Sequence, residues 1–369
     1  MPAQTSVDLH PGALQVGVCS NLQQLGALVP DWQELLSHSP NPSMFLTPAW
    51  HIAWWRTYGG DKTPHVVALR DENARLVAVV PLLQYRDKLR GFPVRVLGSY
   101  NNDHASRTGM LVEPRHEAAA AQALARHLSS TAWQWDVILL RQLPADAIWL
   151  PLLIEACQQA GLTTFGPTPG VGKCVLPLTG TWDEFLAPKG HHFRSRLREN
   201  MRKVQKHGDV VYRRSAGSPE DFDVFTQLEE ASWKSEDGYA KLGAAGWAFH
   251  RDIALASSEG FSCYNLFLEL NGRVVGAMHA IGYAGTVYCL QTLFDESVRH
   301  IYPGRAQFAV HLQDMFADER FHLLDLNGNS PFCKSWSDTE LPFVDLQMYG
   351  RQPYSWLLST LKRVAGRNR

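Results

Sequence analysis

The run Arg299-His300-Ile301-Tyr302-Pro303-Gly304-Arg305-Ala306-Gln307 holds the residue types from which an anion site can be built. At a helix start the first backbone N–H groups are unpaired and partially positive. Gly304 and Ala306 leave room beside them for a diphosphate, and Arg299 and Arg305 can add charge. The same residues would equally serve a plain turn into a helix. A second charged feature spans Lys189 to Arg214, where nine basic residues stand against Glu199 and Asp209, a local charge of +7. Within it Phe193, Leu197, Met201 and Val204 recur at helical spacing and predict a buried stripe, with Arg194, Arg198 and Arg202 as an exposed row. Such a row is either a solvated face or a surface for the phosphates of a coenzyme or nucleic acid, or for an acidic carrier protein.

The elements that must position these features alternate between helix and strand. A helix is expected over 49–58, opened by Thr47-Pro48, with Trp50, Ala53, Trp54 and Tyr58 on one face; this Trp-rich face, with Trp55, reads as core rather than dimer surface. Strand-like runs follow at 65–69, 75–84, 94–97 and 109–112, then a helix over 117–129, a strand over 135–140 and a helix over 149–160. Phe165–Gly172, with two Pro and three Gly, reads as a crossover loop. It sets a boundary near 175 and divides the chain into units 1–175 and 176–369. The second unit is expected to run through a short strand at 174–177, helices at 182–186 and 191–207, a strand at 210–214, and helices at 219–234 and 247–258. A meander follows over 263–270, 273–282 and 286–294, whose first turn is Asn271-Gly272. A loop at 295–304, a helix at 305–320 and strands at 322–326 and 344–349 close the chain. Both halves follow a similar order of helices, meander, helix and strand, which suits a duplication. The fold class is α/β (α+β), each unit a mixed, mainly antiparallel sheet flanked by helices.

At 369 residues with 45% hydrophobic and 11% aromatic content, the chain can bury two full cores. Lys plus Arg at 35 against Asp plus Glu at 36 gives net −1, so any anionic partner needs a local patch. Residues 1–12 lack the basic start and apolar core of a secretory signal, and no apolar run approaches the roughly 18 to 20 residues of a membrane span. Six cysteines without a CxxC pair suit buried thiols in a reducing cytoplasm rather than disulfides or a metal site. Adjacent His191-His192 do not converge on one metal. Nucleophile-elbow, Walker, HExxH and dinucleotide-fingerprint motifs are missing from the sequence, which removes support for hydrolase, NTPase, zincin and dinucleotide readings.

Three local patterns in order give the chain a family resemblance: Phe193-Arg194-Ser195-Arg196-Leu197-Arg198, the Tyr302-Pro303-Gly304 turn after a meander, and Leu324-Asp325-Leu326-Asn327-Gly328 followed by Lys334 and Trp336. In them residues 185–340 resemble the GNAT superfamily of acyltransferases, in the branch of cellulose-biosynthesis acetyltransferase-like proteins, and more distantly the Fem-type peptidyl transferases. The first half resembles a degenerate unit of the same kind through Phe45-Leu46-Thr47-Pro48-Ala49-Trp50 and Val80-Pro81-Leu82-Leu83. The resemblance implies an N-acyltransferase acting by direct transfer from acyl-CoA or acyl carrier protein, as co-substrate, to a small amine, with no tightly bound cofactor or metal. The donor's pantetheine would lie along Thr292, Leu293, Phe294 and Asp295, and its diphosphate at Gly304 to Gln307 with Arg299. His279 is the candidate base, expected opposite Cys289 or Leu290; a hydrogen-bonded structural histidine is the alternative. Asp325 would bind a structural partner or the acceptor amine, Tyr302 would protonate the leaving thiolate or pack, and Lys334 accompanies them. Glu236, Asp237 and Tyr239 would contact the acceptor, in a cleft shaped by the two units. The alternatives are transfer from aminoacyl-tRNA to the acceptor, and an inactive scaffold. Ile301, where the superfamily's loop has Gln or Arg, and the shortened Cys333-Lys334-Ser335-Trp336 favour the scaffold. A monomer or homodimer in the cytoplasm is expected.

Overall fold

The computed structural model describes residues 13–102, 107–232, 234, 241–256 and 260–367. Two compact units emerge, Met1–Val171 with Pro342–Arg369, and Gly172–Leu341.

The first unit opens with β1 (Gln15–Cys19), α1 (Leu22–Ser37) and α2 (Pro48–Tyr58). Both helices start where the chemistry dictates: Asn21 accepts from the Gln24 amide, and the Thr47 hydroxyl from that of Trp50. Trp50 and Trp54 are buried. Then come β2 (Thr63–Pro64), β3 (Val66–Arg70), β4 (Leu76–Val80), β5 (Leu82–Leu89), β6 (Phe92–Ser99) and β7 (Leu111–Val112). The run expected over 75–84 is two strands because Pro81, which has no N–H to donate, interrupts the ladder. At that point the chain passes from the sheet β1-β3-β4-β7 to the other sheet of the unit. α3 (Glu117–Ser130), β8 (Val137–Pro144), α4 (Trp149–Gln159) and β9 (Thr163–Pro169) follow. β9 corrects the loop expected at 165–172. Its prolines are tolerated because it is an edge strand.

The second unit comprises β10 (Lys173–Pro177), α5 (Trp182–Leu186), α6 (His191–Gln205), β11 (Val210–Ser215), α7 (Pro219–Glu230) and α8 (Gly243–Leu255). The meander is β12 (Ser262–Leu270), β13 (Arg273–Tyr283) and β14 (Thr286–Phe294). Its turns place Asn271-Gly272 at φ 50° and 76° and Ala284-Gly285 at 47° and 79°, the left-handed pair that a two-residue hairpin requires. α9 (Pro303–Phe316), β15 (Leu323–Asp325), α10 (Pro331–Trp336) and β16 (Thr339–Leu341) complete it. The sheet order is β11-β12-β13-β14-β15-β10-β16, with β14–β15 parallel and the other neighbours antiparallel.

From Pro342 the chain rejoins the first unit as β17 (Phe343–Tyr349) and α11 (Pro353–Arg367). The expected division therefore needs correction, since 342–369 lies with the first unit. The reason is strand pairing. β17 inserts between β8 and β9 in the order β2-β5-β6-β8-β17-β9, and buries Leu346 and Met348 in the first unit's core. The two large sheets share one plan, in which a parallel strand (β8, β15) is followed by an inserted antiparallel strand (β17, β10) and an edge strand (β9, β16). In each unit the inserted strand is the one that follows the other unit's edge strand along the chain.

All six cysteines are free, and no group of described residues could hold a metal. No described helix is long and apolar enough to cross a membrane.

A chain stopped after Leu341 is expected to become protease-sensitive throughout the first unit while 172–341 stays protected. Limited proteolysis with mass mapping reads the pattern; sensitivity confined to the second unit would contradict the assignment of β17.

Candidate functional site

Two irregularities in one strand open a fork in the second unit. β14 pairs with β15 only at Thr286–Leu323, Val287–Leu324 and Tyr288–Asp325. Directly beyond, the β13–β14 register slips: His279 faces Gln291 whereas Ala280 faces Cys289, so Leu290 is the extra residue of a bulge. A bulge bends its strand and sharpens its twist, and here it coincides with the end of the β15 pairing. His279 accordingly lies opposite Gln291, not Cys289 or Leu290 as expected.

Past the fork the chain turns into α9. Asp295 accepts from the Ser297 amide at 2.8 Å, pairs with Arg273 at 3.0 Å, and so caps a short 3-10 turn, Glu296–Ile301. Ile301 is buried with Val204, Leu268, Val275 and Ala306, which explains why an aliphatic side chain stands there. Tyr302 adopts a left-handed conformation (φ 60°, ψ 48°), and no side chain caps α9. The amides of Gly304 and Arg305 precede the first helical bond, from Ala306 N to Tyr302 O, and so belong to the electropositive end of the helix. A Cβ at position 304 would come within 3.2 Å of the Phe294 ring, so strand end and helix start are in close contact.

Arg305 is half-buried, its guanidinium 5.7 Å from the Phe193 ring and 5.6 Å from that of Trp336, and it donates to Ser335 Oγ at 3.2 Å. Burial, and then the nearby charge of Arg196, hold its pKa below the usual value. Lys189 donates to the Trp336 carbonyl at 3.0 Å, and Lys203 lies 5.0 Å over the Tyr302 ring. The basic helix α6 packs against α9, burying Leu197, Asn200 and Val204 and leaving Arg196, Arg198 and Arg202 exposed; Arg194 is half-buried.

Several expected donor contacts lie elsewhere. Ala306 and Gln307 are fully buried. The Gln307 amide instead donates to the carbonyls of Leu293 (2.9 Å) and Ala277 (3.4 Å), tying α9 to β14 and β13. Leu293 faces the core, Thr292 and Phe294 are half-buried at the fork, and exposed Arg299 pairs with Glu296 at 2.7 Å.

The candidate catalytic residues separate in the same way. His279 is sealed from solvent among Phe222, Phe225, Trp247 and His250. Its Nδ1 lies 2.8 Å from Asn265 Oδ1, while Asn265 Nδ2 donates to Asp221 at 3.0 Å; Nδ1 therefore carries the proton and the ring is neutral. Burial pushes its pKa down to about 3. This is a structural position rather than that of a solvent-reachable base. Asp325 is 1% exposed at the base of the fork, where its Oδ1 accepts from the Asn327 amide at 2.8 Å and holds the turn after β15. Tyr302 is exposed, and Lys334 points to solvent and Glu340 at 3.7 Å. Glu236, Asp237 and Tyr239 lie outside the described residues. The sequence reading missed Lys234 and Gln291. The Lys234 amine donates to Gln291 Oε1 beside the bulge, and burial, opposed by Glu229, pushes its pKa down to about 8. The two lie 57 positions apart in sequence, so no spacing rule could have found them.

Residues 191–333 match the family described as "Acetyltransferase (GNAT) domain". That stretch lies wholly within the second unit and contains α6, the meander, the fork and α9. Among solved structures, FemX is similar with a TM-score of 0.61 at 13% identity, over 89% of this chain and 97% of that one. The C-terminal domain (DUF2156) of a putative lysylphosphatidylglycerol synthetase from Agrobacterium fabrum gives 0.54 at 12%, over 91% and 95%. A conserved protein of unknown function from Bacteroides thetaiotaomicron gives 0.56 at 11%, over 91% and 100%. At these identities the likeness is one of fold, and it runs through both units. No curated protein matches the sequence.

His279 has a folded pKa below the ordinary histidine value of 6.5, so the unfolded chain binds the proton first and stability falls as pH drops from about 6.5 toward 3. His311, pushed down to about 4 by burial, acts in the same direction. His279→Asn, whose amide can still donate to Asn265, is expected to lower Tm at pH 7 but to flatten the decline of Tm between pH 6.5 and 5. Thermal denaturation across that range checks it; an unchanged slope would remove His279 from the account.

Proposed function

We propose that the second unit transfers an acyl group from a thioester, acyl-CoA or the pantetheine arm of an acyl carrier protein, to an amine. The observation that carries this reading is the cationic start of α9 beside the fork, where two helix-end amides and Arg305, with Arg196 as its charged neighbour, meet the strand end at Phe294. A cation held half-buried next to another cation is relieved by an anion, and a helix N-terminus favours the same sign. The family match over 191–333 supports the reaction class, and the motif likeness to the cellulose-biosynthesis branch is part of the same proposal. Thr292 and Phe294 would line the pantetheine, with Gly304 and Arg305 at the phosphates.

In direct transfer the amine nitrogen attacks the thioester carbonyl, the C–S bond breaks, and the proton lost by nitrogen ends on the thiolate. With His279 sealed, Lys234 supplies the acceptor side with a group that titrates near neutral pH, and Gln291 fixes its amine at the bulge. As proton acceptor it must be neutral, so turnover rises with pH through about 8. Lys234→Met is expected to lower kcat about a hundredfold and to remove that rise. A pH–rate profile measured once a substrate pair is found would reject the role if the rise persists.

A donor carried on tRNA is the second reading, favoured by the exposed row Arg196, Arg198 and Arg202 on α6. It requires binding that falls steeply with salt. The deciding measurement is a thermal-shift panel with CoA, acetyl-, medium- and long-chain acyl-CoA, an acyl carrier protein and bulk tRNA, since a ligand of the folded state raises Tm by mass action. A shift with an acyl-CoA is expected. Arg305→Gln, which keeps a donor for Ser335 but removes the charge, should weaken that ligand about tenfold, worth about 1.4 kcal/mol, without changing Tm in its absence. A response to tRNA alone would favour the second reading, and no response to any donor would leave a scaffold.

A further inference from the structure

The first unit carries an apolar surface that its own fold leaves uncovered. α11 buries Ser355, Leu358 and Ser359 against β17, yet its opposite side exposes Trp356 (62%), Leu357 (44%), Leu361 (42%) and Val364 (56%). At about 100° per residue, Trp356, Thr360, Val364, Leu357 and Leu361 follow one another around an arc of about 140°. This is the convex ridge of a helix. Leu361 borders a shallow pocket that also touches Leu89, Arg90 and Phe92 at the tip of the β5–β6 hairpin, and Phe92 is 43% exposed there. Ridge and hairpin tip thus form one patch.

The charge around the patch has a single dominant sign. Among the described side chains of 351–364, Arg351, Lys362 and Arg363 are basic and none is Asp or Glu, in a chain of net −1. At the hairpin tip Arg86, Lys88 and Arg90 are exposed beside a single acid, Asp87. A second copy of the chain is a poor occupant: a two-fold interface would set this cationic rim against itself, and four ridge residues fall far short of the roughly 800 Å² per partner that a stable dimer buries. A surface that is apolar below and anionic above satisfies both halves of the patch. We propose that α11 with the β5–β6 tip docks the protein on an anionic lipid bilayer, the Trp356–Leu361 ridge entering the headgroup boundary and Arg90 and Arg363 meeting lipid phosphates. Interfacial helices combine these features, an apolar arc with Trp and a basic flank. The inference is independent of the second unit's chemistry.

Flotation of the full chain tests it, with phosphatidylcholine vesicles against vesicles in which about a third of the lipid is phosphatidylglycerol. Binding to the anionic vesicles is expected, falling with added salt. Trp356→Ser combined with Leu361→Ser should weaken it at least tenfold, and Arg363→Glu should weaken it and flatten its salt dependence. The exposed positions Trp356 and Arg363 should leave Tm unchanged when substituted singly, which separates loss of docking from loss of fold. Failure to bind anionic vesicles, equal binding to both kinds, or binding indifferent to these substitutions would overturn the proposal. So would a wild-type dimer that Trp356→Ser converts to a monomer, which would assign the ridge to self-association.

Discussion

The second unit depends on one buried side chain, Gln307. Its amide bonds the carbonyls of Leu293 and Ala277 on two adjacent strands, and thereby fixes where α9 begins relative to the sheet. The arrangement needs a strand position without a side chain: a Cβ at Gly276 would stand 2.2 Å from Gln307 Oε1. An amide buried to zero exposure is costly unless bonded, so this contact admits essentially one alignment of helix and strands. The position of the electropositive end of α9 is a consequence of that alignment, since Gly304 and Arg305 lie within one turn before the clamp.

The bulge at Leu290 and the end of the β15 pairing act together with it. A regular β14 paired to β15 along its whole length would have no open edge, and α9 would begin over a closed sheet. Because the strands part after Tyr288 and Asp325, with Asp325 holding the following turn through the Asn327 amide, the edge from Leu290 to Phe294 opens on the side where α9 starts. The polar chain His279–Asn265–Asp221 crosses to α7 on the other face, and Arg213 reaches Asp221 at 3.5 Å and Glu269 at 2.8 Å. It is a bonded chain within a packed aromatic layer, and it ties β12, β13 and α7 together at the bulge. His279 is thus bonded through Asn265 to α7 and buried away from the open strand edge.

What could be read in advance follows from the range of the signals. The meander, the Asn271-Gly272 turn and the amphipathic α6 are set by neighbours a few residues away, and their bounds came within a few residues. The positive end of α9 was legible for the same reason. Residues whose roles depend on distant partners were not: Gln307 bonds two strand carbonyls, Lys234 meets Gln291 from 57 positions away, and β9 hides behind prolines that an edge strand tolerates. His279 has the residue type of a base, but burial, which no local pattern discloses for a histidine in an apolar strand, settles its state.

The least legible feature was the return of the chain to the first unit after the second. In the first unit's large sheet the strand inserted beside the parallel one, β17, comes from beyond the whole second unit, whereas β10 opens the second unit's own continuous segment. Neither β10 nor β17 is a local afterthought: β10 lies between β15 and β16 and buries Cys174, Val175 and Leu176, while β17 lies between β8 and β9 and buries Leu346 and Met348. The first unit's sheet therefore lacks an interior strand until a segment distant in sequence arrives. The Gln142 amide, for example, bonds the Asp345 carboxylate across 203 positions. Closing so long a loop costs entropy that grows only slowly with length, whereas an interior strand returns ladder bonds and apolar burial on both faces. The first unit thus depends on a segment that follows the second, whereas the second unit is complete within one continuous stretch of chain.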